Sequence, residues 1–299
     1  MKYHQLRAFV QVAESGSIRG AARALLLSQS ALTKALRELE ASVGAQLLVR
    51  SWRGVGFTDS GQVLLKRARL AVSSLQKARE EINYIKQATR PRLSIATTPL
   101  VAMQVLPRVL AEFEQLEPSA EIHLSEGLLT AVVPDLLQGR IDFALALADA
   151  KDLPREIDFE PLREIEALPA GRVGNPFLGA REWADLHGSR WVLNLLAASQ
   201  GQMFLSWLEH RGITLGSITR CASPHLMAEL MRRTDALGFC PRILLEDPHY
   251  GAGLRPLQVR PLPPPMTLGL LSRRDSPMSA PGQRLAALFR AQLAPGNAT

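Results

Sequence analysis

Two helical patterns joined by a very short connection near the start of the chain constrain the fold most. A first amphipathic pattern covers residues 4–14 and stops at Gly16. Ser17 is a typical N-cap for a second, short helix, and Ser28 is a typical N-cap for a third. Such a tight turn between two helices is typical of a helix-turn-helix, which places its second helix in the major groove of DNA.

The third helix is predicted over 29–43, with distinct apolar and polar faces. The apolar face has the spacing four, three, four and contains Leu32, Leu36, Leu39 and Val43. The polar face carries Ser30, Thr33, Lys34 and Arg37. Gln29 can pair with adenine, while Lys34 or Arg37 can reach guanine or phosphate. The same pattern also fits a three-helix scaffold with a polar surface.

Residues 47–58 predict a β-hairpin wing after the third helix. Two short apolar runs flank a basic tip that contains glycine, and Arg50 and Arg53 lie where they can touch phosphate or the minor groove.

The charge of the chain is concentrated in its first 90 residues. They contain 15 Lys and Arg against 6 Asp and Glu, whereas the other 209 residues contain 20 and 22. A basic head on a near-neutral body indicates a polyanion-binding domain attached to a domain with another task.

A heptad pattern after the wing predicts one long helix with an apolar seam. Residues 58–87 contain no proline, and apolar side chains recur with alternating spacings of four and three. The seam consists of Leu64, Ala68, Ala71, Leu75, Ala78, Ile82 and Ile85. We expect a partner helix to cover this seam; the alternative is a helix that lies on its own domain.

The rest of the chain alternates strand and helix patterns. A strand at 93–96, a helix at 99–116, a strand at 121–124, a helix at 130–138 and an apolar strand at 141–147 predict a doubly wound α/β sheet. A second set of patterns follows between 191 and 240, and 266–271 with the helix 281–293 are expected to return to the first lobe.

Residues 6–58 resemble the N-terminal domain of the LysR-type transcriptional regulators. The resemblance rests on Leu6-Arg7-Ala8-Phe9, on Gly16-Ser17-Ile18 with Ala21-Ala22, on the run from Leu27 to Glu40 and on Gly44 to Arg50. Ser30 stands where the family usually has proline. The resemblance implies DNA contacts by Ser28, Gln29, Ser30, Thr33, Lys34, Arg37, Arg50 and Arg53. It also implies an antiparallel dimer through the long helix. A dimer supplies two recognition helices, which match a partly palindromic operator.

The body is similar to the LysR-type effector domain, mainly at 139–144 and 237–242. The expected fold is an N-terminal all-α winged helix-turn-helix, a long linker helix, and a C-terminal α/β effector domain of two lobes, similar to periplasmic solute-binding proteins. We expect the DNA-binding domain at 1–58, the linker helix and hinge at 59–90, and the effector domain at 91–299. Lobe 1 is predicted at 91–163 with 266–299, and lobe 2 at 164–265.

Ligands of such sheets bind beyond the carboxyl ends of strands, between the lobes. The residues predicted there are Thr97, Thr98, Pro99, Leu100, Glu126, Gly127, Ser199, Gln200 and Ser223. Free N–H groups and hydroxyls suit a carboxylate, sulfonate or phosphate, so an anionic effector is one candidate. Glu126 would oppose an anion, which leaves the charge of the effector open. Taken singly, each serine or threonine is better explained as a helix cap.

No catalytic, cofactor or metal motif accompanies these patterns. The sequence contains no P-loop, no GxGxxG after a strand, no HExxH and no CxxC, and its six histidines have no metal-ligand spacing. We therefore expect no enzyme and no cofactor besides a small-molecule effector. Cys221 and Cys240 are expected to be structural, in a cytoplasmic protein without signal peptide or membrane span.

The sequence thus predicts a regulator that binds double-stranded operator DNA as a dimer or tetramer, with RNA polymerase as a candidate further partner. Two other classes stay open: a cytoplasmic solute-binding protein with a basic dimerisation arm, and an enzyme built on the α/β body. The first would leave no sequence-specific DNA footprint, and the second would need a nucleophile and base that the motifs do not provide.

Overall fold

The computed structural model describes residues 1–51, 54–86 and 89–294. The chain divides into two compact units. The first unit contains residues 1–92 with Pro134–Ile141, and the second contains Leu93–Val133 with the chain from Asp142 onward.

The first unit begins with the three expected helices, α1 (Tyr3–Ser15), α2 (Ile18–Ala24) and α3 (Gln29–Val43). Ser17 caps α2 by accepting a hydrogen bond from the Gly20 N–H, and Ser28 caps α3 by accepting one from the Ala31 N–H. Gly44 ends α3 in the left-handed conformation, at φ +72°, which glycine adopts without steric cost. The helix-turn-helix predicted from these residues is confirmed.

A short antiparallel hairpin follows, formed by β1 (Leu48–Ser51) and β2 (Gly54–Phe57). Leu48 pairs with Phe57, and the ring of Phe57 packs edge-on against Phe9 of α1 at 5.4 Å. The hairpin is the predicted wing. Its tip residues Trp52 and Arg53 lie outside the described residues.

The long helix α4 (Asp59–Ile85) begins at the Thr58 cap, whose hydroxyl accepts a hydrogen bond from the Gly61 N–H. Gly61 allows the close approach of α4 to the wing, because a Cβ there would lie 2.1 Å from the carbonyl oxygen of Leu47. Leu65 and Ala68 are buried in the core of the head.

The burial of Ala68 corrects the predicted seam of α4. Ala68 is 1% exposed, and Leu64 packs partly against the same core, so this end of the seam is used within the chain's own head. A second correction concerns Val43, which was expected on the apolar face of α3 but is 39% exposed. It lies in the last turn of α3, one turn beyond the buried Leu39.

The second unit contains the α/β elements. In chain order they are β3 (Arg92–Thr97), α5 (Pro99–Gln104), α6 (Leu106–Leu116), β4 (Glu121–Glu126), α7 (Leu129–Leu137), β5 (Phe143–Leu147), β6 (Ile157–Ile165), β7 (Ala167–Arg172), β8 (Trp191–Leu193), α8 (Gln200–Glu209), β9 (Ile218–Arg220), α9 (Pro224–Arg233), β10 (Gly238–Pro241), α10 (Arg242–Glu246), β11 (Leu254–Pro256), β12 (Met266–Arg273) and α11 (Ala280–Leu293). The α7 segment contributes to both units.

The first lobe is built on a five-stranded sheet with the order β4-β3-β5-β12-β6. Strands β3 and β5 are parallel, while β12 is antiparallel to both β5 and β6. As predicted, the chain returns to this sheet with β12, and α11 then adds Leu285 and Phe289 to its core. Strands β6 and β7 were not predicted, and β6 extends the sheet to Ile165.

The helix predicted over 99–116 is two helices, which is a further correction. The backbone departs from helical geometry at Val105, with φ −113° and ψ −43°. Pro107 explains the break, because its nitrogen cannot donate to the carbonyl of Met103 and its ring would clash with that carbonyl.

The second lobe combines a three-stranded antiparallel sheet, β10-β7-β11, with the parallel pair β8 and β9. Its core is aromatic. The rings of Phe204 and Phe239 stack at 4.2 Å, and Trp191 and Trp183 lie against Phe204 at 5.5 and 5.6 Å. The predicted fold class, including its two lobes, is confirmed. The domain limits at residues 58, 90 and 163 stay predictions.

The turn between α2 and α3 contains a strained residue that is open to substitution. Leu26 has φ +56°, and its side chain is 94% exposed. An L-residue with a Cβ pays about 1 kcal/mol for this conformation, which asparagine tolerates better. We expect Leu26→Asn to slow hydrogen exchange of the α2 and α3 amides by about fivefold. The control is Leu27→Asn at the neighbouring site, which has no positive φ; an equal gain there would refute strain relief.

Candidate functional site

The outer face of α3 is the first candidate site. Gln29, Lys34 and Arg37 are exposed, and the face forms a shallow depression lined by Gln29, Ser30, Thr33, Lys34, Arg37 and Glu38. Since Leu32, Leu36 and Leu39 occupy the opposite face in the core, α3 can present these polar groups without exposing its apolar side.

The three hydroxyls predicted to contact DNA make hydrogen bonds within α3. The Ser28 Oγ caps the helix and lies 3.0 Å from the Ser30 Oγ, and the Thr33 hydroxyl donates to the carbonyl of Gln29 at 2.7 Å. They therefore hold the first turns of α3 in place. Gln29, Lys34 and Arg37 are the long side chains left to reach outward.

Two hydrogen-bonded contacts that the sequence analysis did not anticipate hold α3. Gln5, which is only 4% exposed, donates through Nε2 to Glu38 at 3.1 Å and so ties α1 to α3. One carboxylate oxygen of Glu40 accepts from the N–H groups of Leu47 and Leu48, at 2.8 and 3.1 Å. Neither residue could be found from periodicity, because each partner lies outside the local pattern.

The two predicted wing arginines are not among the residues that line the depression on α3. Arg50 belongs to β1, and Arg53 lies outside the described residues. Their contacts with DNA stay predictions.

The distal part of α4 carries an exposed apolar stripe. Leu75 and Ile82 are each 51% exposed and Ile85 is 78% exposed, and Ala78 is exposed between them. These residues continue the heptad spacing beyond the part that packs on the head. Large apolar side chains in a row of this kind are typical of a surface that another helix covers.

The second unit contains a cavity of about 150 Å³ between its two lobes. The first lobe contributes Thr98, Pro99, Leu100 and Met103 from α5 and its cap, with Leu128, Leu129 and Leu147. The second lobe contributes residues 194–201 in part, one face of α9, and residues of β10 and α10. Five of the predicted residues meet here: Thr98, Pro99, Leu100, Ser199 and Gln200.

The other four predicted effector residues, Thr97, Glu126, Gly127 and Ser223, do not line this cavity. Thr97 is the last residue of β3 and faces away from Thr98, because successive side chains of an extended chain alternate. Glu126 is exposed at the end of β4, and the Gly127 N–H bonds the Thr97 carbonyl at 3.1 Å, so Leu128 and Leu129 reach the cavity instead. Ser223 is exposed and caps α9.

Two residues that line this cavity each have one buried polar atom without a hydrogen-bond partner among the described residues. These atoms are the Thr98 Oγ1 and the Gln200 Nε2, and both are buried from solvent. Thr98 as a whole is 4% exposed, and its hydroxyl does not cap α5. A buried donor or acceptor without a partner costs about 1–3 kcal/mol.

The loop before α8 is held tightly in an unusual conformation. Ala198 has φ +63°, the Ser199 hydroxyl donates to the Asn194 carbonyl at 2.6 Å, and a Cβ at Gly201 would lie 2.3 Å from the same oxygen. Backbone strain in a non-glycine residue is frequent at binding sites, where surrounding contacts enforce it.

Both cysteines are free thiols. Cys240 lines the cavity, its Sγ lies 3.8 Å from the Met231 Sδ, and burial raises the pKa of its thiol to about 12. The Cys221 Sγ lies 3.5 Å from the carbonyl oxygen of Ser223.

Within the described ranges, no three His, Cys, Asp or Glu side chains are grouped as a metal site, and no helix there combines the length and the hydropathy of a membrane span. The expectation that the protein needs no cofactor stays a prediction.

Family models match nearly the whole chain. The model of the bacterial regulatory helix-turn-helix proteins of the lysR family matches residues 3–62, and the model of the LysR substrate binding domain matches residues 86–294.

Similar proteins are themselves regulators. The chain is 27% identical to the HTH-type transcriptional regulator TdcA of Escherichia coli (strain K12) over 80% of this chain and 77% of that protein. It is also 27% identical to the SDS degradation transcriptional activation protein of a Pseudomonas species, over 91% of this chain and 87% of that one.

Solved structures show the same fold. The full-length CbnR in complex with its target DNA superposes with a TM-score of 0.65 at 20% identity, covering 97% of this chain and 99% of that one. A full-length OxyR variant from Pseudomonas aeruginosa gives a TM-score of 0.69 at 16% identity, covering 98% of this chain and 94% of that one.

The raised pKa of Cys240 predicts a thiol that does not react in the native protein. Since the thiolate is the nucleophile, only on the order of one thiol in ten thousand is reactive at pH 8. We expect iodoacetamide to add at most one group to the native chain and two to the denatured chain, as measured by intact mass. Native Cys221→Ser protein should add none; rapid modification of that variant would contradict an inert Cys240.

Proposed function

The chain belongs to the LysR family of bacterial helix-turn-helix transcriptional regulators, and we propose that it binds operator DNA through α3 under the control of a small molecule in the interlobe cavity. The observation that carries the proposal is the outer face of α3. There, Gln29, Lys34 and Arg37 extend outward from a helix whose other side is locked in the core.

Side-chain chemistry supports this assignment. Glutamine can pair bidentately with adenine, and arginine is the commonest partner of guanine in the major groove. The excess of basic residues in residues 1–90 supplies the electrostatic attraction to phosphate that accounts for most non-specific binding. Ser28 caps α3, and the DNA contacts of Ser28, Ser30 and Thr33 are part of the same proposal.

The exposed stripe of α4 supports a dimer. A second copy would cover Leu75, Ile82 and Ile85, and a twofold pair of heads would match a palindromic operator. We propose that the stripe pairs with the same stripe of the partner. We also propose that RNA polymerase is a further partner and that the protein is cytoplasmic.

The cavity supports control by a ligand. A molecule bound there contacts both lobes, so it favours the arrangement of the lobes in which both sets of contacts form. The shift in DNA binding is limited by the difference in the ligand's affinity for the two arrangements. A solute-binding protein with a basic arm would share this cavity but would show no operator preference, so DNA binding separates the two functions.

The first test is operator binding by the full-length protein, with promoter DNA taken from beside its own gene. We expect affinity to fall by about a thousandfold between 50 and 200 mM salt, as for a protein with six or more phosphate contacts. Arg37→Ala should weaken specific binding by about tenfold or more, because a base or phosphate contact is lost.

Arg155→Ala is the matched control, since it removes the same charge from an exposed position in the second unit. A flat salt response, or equal losses in both variants, would refute recognition through α3.

The dimer proposal is tested on α4. Ile82→Glu places a charge in the apolar stripe, so we expect the mass measured by light scattering to halve and operator affinity to fall with it. Asn83→Glu adds the same charge at an exposed position off the stripe and should leave the mass unchanged. An unaltered mass for Ile82→Glu would place the dimer interface elsewhere.

A further inference from the structure

We propose that Gln104 and Asp247 are positioning residues, whose side-chain hydrogen bond ties the two lobes together and sets the lobe arrangement in which the protein meets its operator. The inference rests on the proposed function, because it names residues through which the lobes would control DNA binding. Neither residue lines the interlobe cavity or the depression on α3. They would therefore act through the position of the lobes and without touching effector or DNA.

The hydrogen bond joins elements of different lobes. Gln104 is the last residue of α5, whose Leu100 and Val101 are buried in the core of the first lobe. Asp247 follows α10, which lies between β10 and β11 of the three-stranded sheet of the second lobe. The Gln104 Nε2 donates to the Asp247 Oδ2 at 3.0 Å. The contact therefore spans the junction of the lobes.

The Asp247 carboxylate also fixes the loop that carries it. Its second oxygen, Oδ1, accepts hydrogen bonds from the N–H groups of His249 and Tyr250, both at 2.8 Å. The Tyr250 N–H and the Gln104 amide lower the pKa of the Asp247 carboxyl, so the group is ionised at neutral pH. Hydrogen bonds to an ionised acceptor are stronger than those between neutral groups.

The same loop is anchored to the second lobe at its other end. Arg232 of α9 donates through Nε to the Ala252 carbonyl at 2.9 Å and through Nη2 to the Tyr250 carbonyl at 2.5 Å. Gly251 allows close packing on α10, because a Cβ there would lie 2.0 Å from the Leu245 carbonyl oxygen. A loop held in this way transmits a displacement of the second lobe to α5. Its Tyr250 also lines the cavity.

The directional bond adds what the apolar contacts beside it do not supply. Ile243 and Leu244 of α10 pack partly against the core of the first lobe. Apolar contacts are non-directional, so they hold the lobes together but tolerate small shifts between them. A hydrogen bond weakens steeply when its geometry changes, so Gln104 and Asp247 favour one lobe arrangement over its neighbours. Loss of the bond should therefore shift the lobe equilibrium without any ligand.

A donor–acceptor exchange tests this pair. Gln104→Glu sets two carboxylates against each other across the 3.0 Å contact. By hydrogen exchange and mass spectrometry, we expect the amides of residues 100–105 to exchange about tenfold faster, because a hydrogen bond to a charged group is lost. We expect the operator affinity of the full-length protein to change by about fivefold or more.

Adding Asp247→Asn to the Gln104→Glu variant re-forms the bond with the two roles exchanged. The new amide nitrogen can donate to the new carboxylate, while the amide oxygen still accepts from the N–H groups of His249 and Tyr250. We expect the exchange rate and the operator affinity of the double variant to return to within about twofold of the wild type.

Two further variants separate the bond from charge and from folding. Gln258→Glu adds the same charge at an exposed position of the second lobe and should change neither quantity. Gln104→Met removes the donor without adding charge, so it should give a smaller change in the same direction as Gln104→Glu. If Gln104→Met changes neither quantity, or the double variant restores neither, the tie is refuted.

The two proposals fail in different ways. If the wild type shows no operator preference, the regulatory function fails, while the exchange rates still test the hydrogen bond. If the wild type binds its operator and the double variant restores exchange, but operator affinity is the same in every variant, the bond is merely structural. In that case only the positioning role is overturned.

Discussion

Three leucines of α3, Leu32, Leu36 and Leu39, are almost completely buried, and their burial decides which side of that helix faces outward. The apolar stripe on one side leaves the polar side at the surface, where Lys34 and Arg37 are in reach of a partner. Two further contacts, Gln5 with Glu38 and Glu40 with the start of β1, fix the helix in rotation and tie the wing to it. The candidate DNA surface is therefore a consequence of packing in the head.

In the second unit the notable feature is the lack of hydrogen-bond partners for two buried polar atoms. Apolar side chains close a cavity around Thr98 and Gln200 and leave one polar atom of each without a hydrogen bond among the described residues. The strained Ala198 and the tightly packed loop beside it lie along the same cavity and lead into α8 at Gln200.

Local sequence patterns predicted the elements whose formation depends on residues close together in the chain. The serine caps, the 3.6-residue spacing and the basic bias of the first 90 residues were enough to identify α2, α3 and their outer face. The break at Val105 was missed although Pro107 indicates it, because the apolar spacing continues across the break. Strands β6 and β7 were missed as well, and the register of β6 against β12 shifts between Pro161 and Arg163.

The sequence by itself determined the family, the helix-turn-helix with its polar face, and the α/β class of the body, since caps, periodicity and charge act over a few residues. Only the tertiary structure decided that Ala68 belongs to the head core rather than to a seam, that Thr98 and not Thr97 lines the cavity, and that the cavity walls are mainly apolar. The physical reason is that burial and unsatisfied hydrogen bonds depend on atoms far apart along the chain. A local sequence pattern does not show which distant element packs over a residue, or whether a buried polar atom has a hydrogen-bond partner.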